Sequence, residues 1–228
     1  MRREIIKWIV QSTLGTAAYG LVLFLAAGTW RWGWGWAFVI ILTLFMAAHP
    51  LMLIPTRPDL LVERQKGSLA GGVKRWDKWL TSLAGGAMMV IWIVAGLDLR
   101  LGWTGSFPLL AHLLGLAGVT LGYALFLWAM VSNPFFSEGV RIQTERGHVA
   151  ISSGPYRFVR HPGYSGVILA HLAMPFLLGS PWALIPAVAL AILFVIRTLL
   201  EDRTLLAELP GYDEYARRTT HRLLPGIW

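Results

Sequence analysis

The sequence predicts an all-α, polytopic membrane protein. It should have five to six transmembrane helices, a C-terminal helical hairpin and a short helix on the cytosolic side. Three observations carry that expectation. Apolar residues make up 56% of the 228-residue chain, with a mean hydropathy of +0.58. They fall in long runs separated by polar loops. The lysines and arginines are concentrated in every second loop, the positive-inside pattern of helical membrane proteins.

The apolar runs lie near 8–28, 33–54, 79–97 and 108–131, followed by shorter ones near 164–179 and 182–200. A helix crosses the hydrocarbon with about 20 residues at ~1.5 Å each. The first four runs meet that length. The fifth is shorter and contains Pro175, and Ser180-Pro181 then turns the chain into the sixth, so the last two read as a tight hairpin. Arg2 and Arg3 before the first run resemble a signal sequence. The run is long and lacks a clear cleavage site, which favours a retained first helix.

Trp30, Trp32, Trp34 and Trp36 crowd the turn between the first two runs. Tryptophan favours the membrane interface, where its ring is buried and its N–H stays wet, so they read as an aromatic belt. The segment 55–80 reads as a solvated loop with interfacial anchors, and 59–64 can form a short amphipathic helix lying on the membrane face. Gly115, Gly118 and Gly122 place small residues at helical spacing, which permits close helix packing. His49 and His112 stand without a ligand partner nearby and read as packed histidines rather than metal ligands. The chain divides into residues 1–131, carrying the N-terminal helices and the loop 55–80, and residues 132–228, carrying the chemistry.

The net charge of +8 does not point to nucleic acid. The cations cluster at the N-terminus, in loops 55–80 and 133–162 and in the tail, whereas the alternate loops hold only Arg31 and Arg100. Topology and anionic lipid account for that distribution, with both termini and the two long loops cytoplasmic. The absence of cysteine excludes disulfides, thiolate nucleophiles and Cys-ligated metals. No acidic or basic residue lies clearly mid-span, which argues against an ion pathway.

Chemistry concentrates in Gly154-Pro-Tyr-Arg-Phe-Val-Arg-His-Pro-Gly-Tyr-Ser-Gly166. Ionisable groups are costly to dehydrate at a membrane boundary, so a cluster of them points to a binding site. Gly154-Pro155 makes a turn that delivers Tyr156 to the interface. Arg160 and His161 follow, and Pro162 starts the next helix, where a missing N–H costs little. The exposed N–H groups of that first turn can receive an anion, and Tyr164 offers a ring face and a hydroxyl. A second element, Arg197 to Asp202, ends the sixth run, with Arg197 and Glu201 on one face at i,i+4 spacing. The hairpin makes the two elements neighbours, so His161, Tyr164, Arg197 and Glu201 can surround one pocket.

These residues, with Gly211-Tyr212, Tyr215 and Arg222-Leu-Leu-Pro225, resemble the isoprenylcysteine carboxyl methyltransferase family of integral-membrane enzymes. The resemblance is close from about residue 133 onward and general in the first four runs. Where the family has two adjacent glutamates, this chain has Glu201-Asp202. The resemblance implies S-adenosylmethionine in a cytosolic pocket beside a lipid-accessible tunnel, with Gly154, Tyr156, His161, Pro162, Tyr164, Glu201 and Asp202 around the cofactor. A carboxylate suits its amino or hydroxyl groups, and aromatic rings suit adenine and the sulfonium. Arg160 or Arg197 can hold an acceptor carboxylate, which needs no base because it is already ionised, and Glu201 completes the reacting end. The expected partners are the bilayer and a lipophilic acceptor. A membrane NADPH-dependent sterol or enone reductase, with a similar Arg-His-Pro segment, and a non-catalytic accessory or transport protein are the alternatives.

Overall fold

A computed structural model of the chain describes residues 2–67 and 70–228. It is helical throughout its regular elements: α1 (Arg2–Ala27), α2 (Gly33–Thr56), α3 (Pro58–Gln65), α4 (Arg75–Leu101), α5 (Leu109–Ser132), α6 (Pro162–Leu178), α7 (Leu184–Glu208) and α8 (Tyr212–Arg218). Five of these are long and apolar enough to cross a membrane, and α6, at 17 residues, is a shorter apolar helix. At ~1.5 Å per residue α6 reaches about 26 Å, just short of the ~30 Å hydrocarbon. The outer surface is that of an integral membrane protein: Leu14, Leu25, Leu44, Leu114 and Ile185 are each more than 60% exposed, a placement that only lipid makes favourable.

The core lies where α1, α2, α4, α6 and α7 meet, around Leu23, Phe38, Ile91, Trp92, Met174 and Leu190, all fully or nearly fully buried. Glycines set the closest approaches. A Cβ added at Gly115 would lie 2.1 Å from the Leu177 nitrogen, and one at Gly122 would lie 2.6 Å from the Ala170 nitrogen. α5 and α6 therefore touch backbone to backbone, as the glycine spacing of α5 anticipates. The packed reading of the two histidines also holds, since His49 and His112 are buried and bond the Phe45 and Leu177 carbonyls. In the tryptophan turn, Trp30 and Trp36 lie outward as a belt requires, whereas Trp32 is buried against Gly35.

The antiparallel order brings both termini, α3, the 133–161 segment and the tail after α7 to one end of the bundle. Here the structure departs from expectation. Segment 55–80, described except for Ser68 and Leu69, is no solvated loop: Leu60, Leu61, Glu63, Arg64 and Asp77 are all buried. α3 does form, but it packs inward because each buried charge finds a partner on the 133–145 segment. Arg141 donates through Nε and Nη2 to Glu63, and the backbone N–H of Val140 donates to Asp77 at 2.8 Å. Burial pushes the Glu63 carboxyl up, but its bonds to Lys66 and Arg141 outweigh this and hold it below the usual carboxylate range.

Candidate active site

The 154–166 segment forms its site through backbone geometry as much as side chains. Gly154 takes φ +59° and opens a single 3₁₀ turn, Gly154–Arg157. A Cβ there would strike the Ser132 hydroxyl at 2.3 Å, so the turn requires glycine. The turn buries Tyr156, whose hydroxyl receives Asn133 Nδ2 at 3.2 Å and whose carbonyl receives the Tyr215 hydroxyl at 2.7 Å. Burial pushes both tyrosine hydroxyls well above their ordinary range, so they stay protonated. Pro162 occupies the first turn of α6 as expected, with His161 as the preceding cap residue.

Asp202 is the hub of this end of the molecule. Its Oδ1 accepts from Arg160 Nε at 2.8 Å, the Tyr212 hydroxyl at 2.9 Å and His161 Nε2 at 3.3 Å, while its Oδ2 accepts from Arg160 Nη2 at 2.8 Å and Arg222 Nε at 2.9 Å. Arg160 also donates to the Thr219 and Thr220 carbonyls, and its own N–H reaches the His221 carbonyl. The His161 N–H bonds the Arg222 carbonyl at 2.9 Å, and Ser165 bonds that of Leu223 at 2.7 Å. The stretch 219–224 is thus a strap drawn across the start of α6. Five donors within the protein converge on the Asp202 carboxylate, and Arg160, which also lines the neighbouring cleft, is bonded to the strap.

Beside the hub opens a narrow cleft lined by Tyr156, His161, Gly163, Tyr164 and Glu201, with Phe135, Phe136, Ile151, Leu205 and Leu209 as its apolar walls. The rings of His161 and Tyr164 are parallel within 3°, with centroids 5.8 Å apart. The Tyr164 hydroxyl donates to Glu201 in a short hydrogen bond. His148 also lines the cleft; burial first, then Arg141 and Arg146, lowers its pKa to about 4. It is therefore a neutral imidazole at physiological pH and offers a ligand hydrogen bonding without charge.

Arg197 is close to this group but faces elsewhere. Its guanidinium lies 5.1 Å from the Tyr164 ring centroid, yet its donors go to Asp77 (Nε at 2.7 Å, Nη2 at 3.1 Å) and to the Glu138 carbonyl at 2.5 Å. Of the four residues expected around one pocket, His161, Tyr164 and Glu201 line the cleft, and Arg197 supports it from behind as part of a clamp joining α4, α7 and 137–140. Asp77, Glu63, Arg141, His148 and Phe136 did not emerge from the sequence. The available signal was an acid between Trp76 and Trp79 at the head of an apolar run, and charges directly following Leu60-Leu61-Val62.

The profile of the isoprenylcysteine carboxyl methyltransferase family matches residues 113–207. The chain is 32% identical over 158 residues to the cobalt-zinc-cadmium resistance protein CzcN of Cupriavidus metallidurans, covering 66% of this chain and 68% of that protein. It is 30% identical over 116 residues to a probable protein-S-isoprenylcysteine O-methyltransferase of Oryza sativa, in both the indica and japonica subspecies. That match covers 50% of this chain and 60% of the rice proteins. The matched region runs from α5 through the cleft-forming ends of α6 and α7, and with this profile and the rice relatives the chain belongs to the isoprenylcysteine carboxyl methyltransferase family.

Proposed function

We propose that this membrane methyltransferase binds S-adenosylmethionine in the cleft beside Glu201 and moves its methyl group to the carboxylate of a lipophilic acceptor. The observation that carries the reading is the Tyr164–Glu201 pair beneath the His161 ring, placed where the apolar bundle meets its charged end. The donor set fits the cofactor. Glu201 suits an ammonium or ribose hydroxyl, neutral His148 and the Gly163 N–H suit polar edges, and the rings of Tyr156, Tyr164 and Phe135 suit adenine and a sulfonium. When bound, the cofactor supplies an electrophilic methyl on a positively charged sulfur.

The chain's own contribution is placement. Asp202 fixes the His161 ring, and Tyr164 fixes the Glu201 carboxylate, so both groups meet a ligand without having to be ordered first. An acceptor carboxylate attacks as it stands, so no residue need remove a proton. The acceptor's remaining demands are exclusion of water and alignment, and the apolar walls at Phe136, Leu205 and Leu209 serve both.

Two experiments test this reading. Equilibrium binding of labelled S-adenosylmethionine, with NADPH as comparator, should favour the former, and Glu201→Gln should weaken it roughly 10- to 150-fold, the equivalent of about 1.5–3 kcal/mol for a charge-assisted contact. Stronger binding of NADPH would move the chain to the reductase class. The cleft should open to the cytoplasm, because the cations gather at its end of the bundle. In this Cys-free chain, Ser153→Cys should react with an impermeant thiol reagent from the cytoplasmic side and Ser106→Cys only from the opposite side; the reverse pattern inverts the topology.

A further inference from the structure

Away from the cleft, the helices α1 and α2 are parted by a groove of about 720 Å³. Phe24, Trp30 and Trp36 lie toward one end of it and Trp8, Ser12 and Pro50 toward the other. Its walls at Ile9, Leu21 and Leu51 are exposed, so it opens to lipid and suits an acyl chain. At the charged end of the bundle a second cavity, of about 260 Å³, shares Trp8, Ser12, Thr16 and Met46 with the groove and adds Arg64, Gln65 and Glu138. An apolar space thus adjoins a polar one where the membrane-spanning segments end.

Arg64 and Glu138 lie at different depths in that polar end. The Arg64 side chain is 9% exposed and the Glu138 side chain 49%. Among the described residues the guanidinium donates to the Phe136 carbonyl at 3.3 Å and to Glu138 at 3.5 Å, both long. It carries five N–H donors in a planar fork, and burial without close partners is costly for a charge. A ligand oxyanion beside Arg64 offsets that cost. A cation within and a carboxylate outside complement a phosphoethanolamine headgroup, whose phosphate adjoins the acyl chains and whose ammonium lies beyond. The primary ammonium donates hydrogen bonds that a trimethylammonium cannot, and a glycerol headgroup brings no positive charge to Glu138.

We infer that this is a binding site for one phosphatidylethanolamine molecule, with its phosphate on Arg64, its ammonium on Glu138 and an acyl chain in the α1–α2 groove. The lipid is a resident ligand and not a methyl acceptor. Among the described residues none lines both this cavity and the cleft, and the Phe136 ring, 5.4 Å from the guanidinium, closes the cleft on that side. The inference stands apart from the methyl-transfer reading and holds or fails without it.

The test is native mass spectrometry of the purified full-length protein, stripped of lipid in detergent and titrated with dioleoyl phosphatidylethanolamine, phosphatidylcholine or phosphatidylglycerol. One ethanolamine lipid should bind about tenfold more tightly than either of the others. Glu138→Ala should erase that preference, and Glu138→Lys should reverse it in favour of phosphatidylglycerol. Arg64→Gln should weaken binding of the ethanolamine lipid about tenfold. Because Glu138 is half exposed, its two variants keep the test decisive where Arg64→Gln does not fold. Ala47→Trp, at an exposed position on the groove wall, should abolish the tight site. Equal affinity for the three lipids, or tightest binding of either of the other two by the wild type, would overturn the proposal. So would a preference unchanged in both Glu138 variants, or tight binding that persists in a folded Arg64→Gln or Ala47→Trp protein.

Discussion

Asp202→Ala is expected to destabilise the protein by about 3–5 kcal/mol, the usual consequence of removing one partner from a buried charge pair. The mutation strands Arg160, which is 7% exposed, and frees Arg222, His161 and the Tyr212 hydroxyl at once. The strap at 219–224 should then lift from α6, exposing Arg217–Trp228 to protease in detergent while the transmembrane helices keep their helical signal. Asp202→Glu restores the family's paired glutamates but adds a methylene to a site already holding five contacts, so it should recover only part of the loss. The measurement is a thermal melt alongside limited proteolysis. An Asp202→Ala protein that melted like the wild type and lost only cofactor affinity would return Asp202 to the cofactor site.

The clamp between Asp77 and Arg197 gives the second large effect. These residues stand 120 positions apart and are both buried, and the pair carries the Val140 N–H and the Glu138 carbonyl with it. Asp77→Ala leaves the arginine buried and uncompensated, again about 3–5 kcal/mol. Arg197→Lys keeps the charge but loses the fork, and should lose about 1–3 kcal/mol because one ammonium cannot satisfy two carboxylate oxygens and a carbonyl together. The wall at 137–140 would loosen, so cofactor affinity and single-turnover transfer should fall together. An Arg197 that held the acceptor carboxylate would instead leave cofactor binding normal and slow the transfer. Measured cofactor affinity in Arg197→Lys decides between them, and a value equal to wild type would put Arg197 back beside the acceptor. A double-mutant cycle on the pair should return a coupling of about 0.5–3 kcal/mol.

The contrast shows where the sequence is legible. Span number, the hairpin, the glycine contact of α5 and the segments that build the cleft follow from hydropathy, small-residue spacing and clustered charge, which are local signals. Tyr164, His161 and Glu201 were findable because they sit in dense polar clusters beside apolar runs. Glu63, Arg64 and Asp77 were not, because their long-range partners lie 63 to 120 residues away, and an acid beside a basic loop looks the same whether it faces water or a buried arginine. The protein partners of Asp202 and Arg160 are hidden from the sequence for a related reason. Chemical type shows that a residue can bind a ligand, but only the count of neighbours shows whether its bonding capacity is already used.

The glycine contact between α5 and α6 divides the molecule into parts that can vary and parts that cannot. With the Leu177 nitrogen 2.1 Å from where a Cβ on Gly115 would stand, and the Gly122 carbonyl 2.5 Å from one on Gly166, α6 can neither roll nor slide. His161 and Tyr164, carried on its first turn, are mounted as if on a fixed bench. Any movement that admits a ligand falls to the segment 133–151 across the cleft and not to α6. A lineage altering its acceptor would thus rebuild the front of the molecule and leave the bench alone, and the region shared with the family, 113–207, begins within α5 and ends on α7.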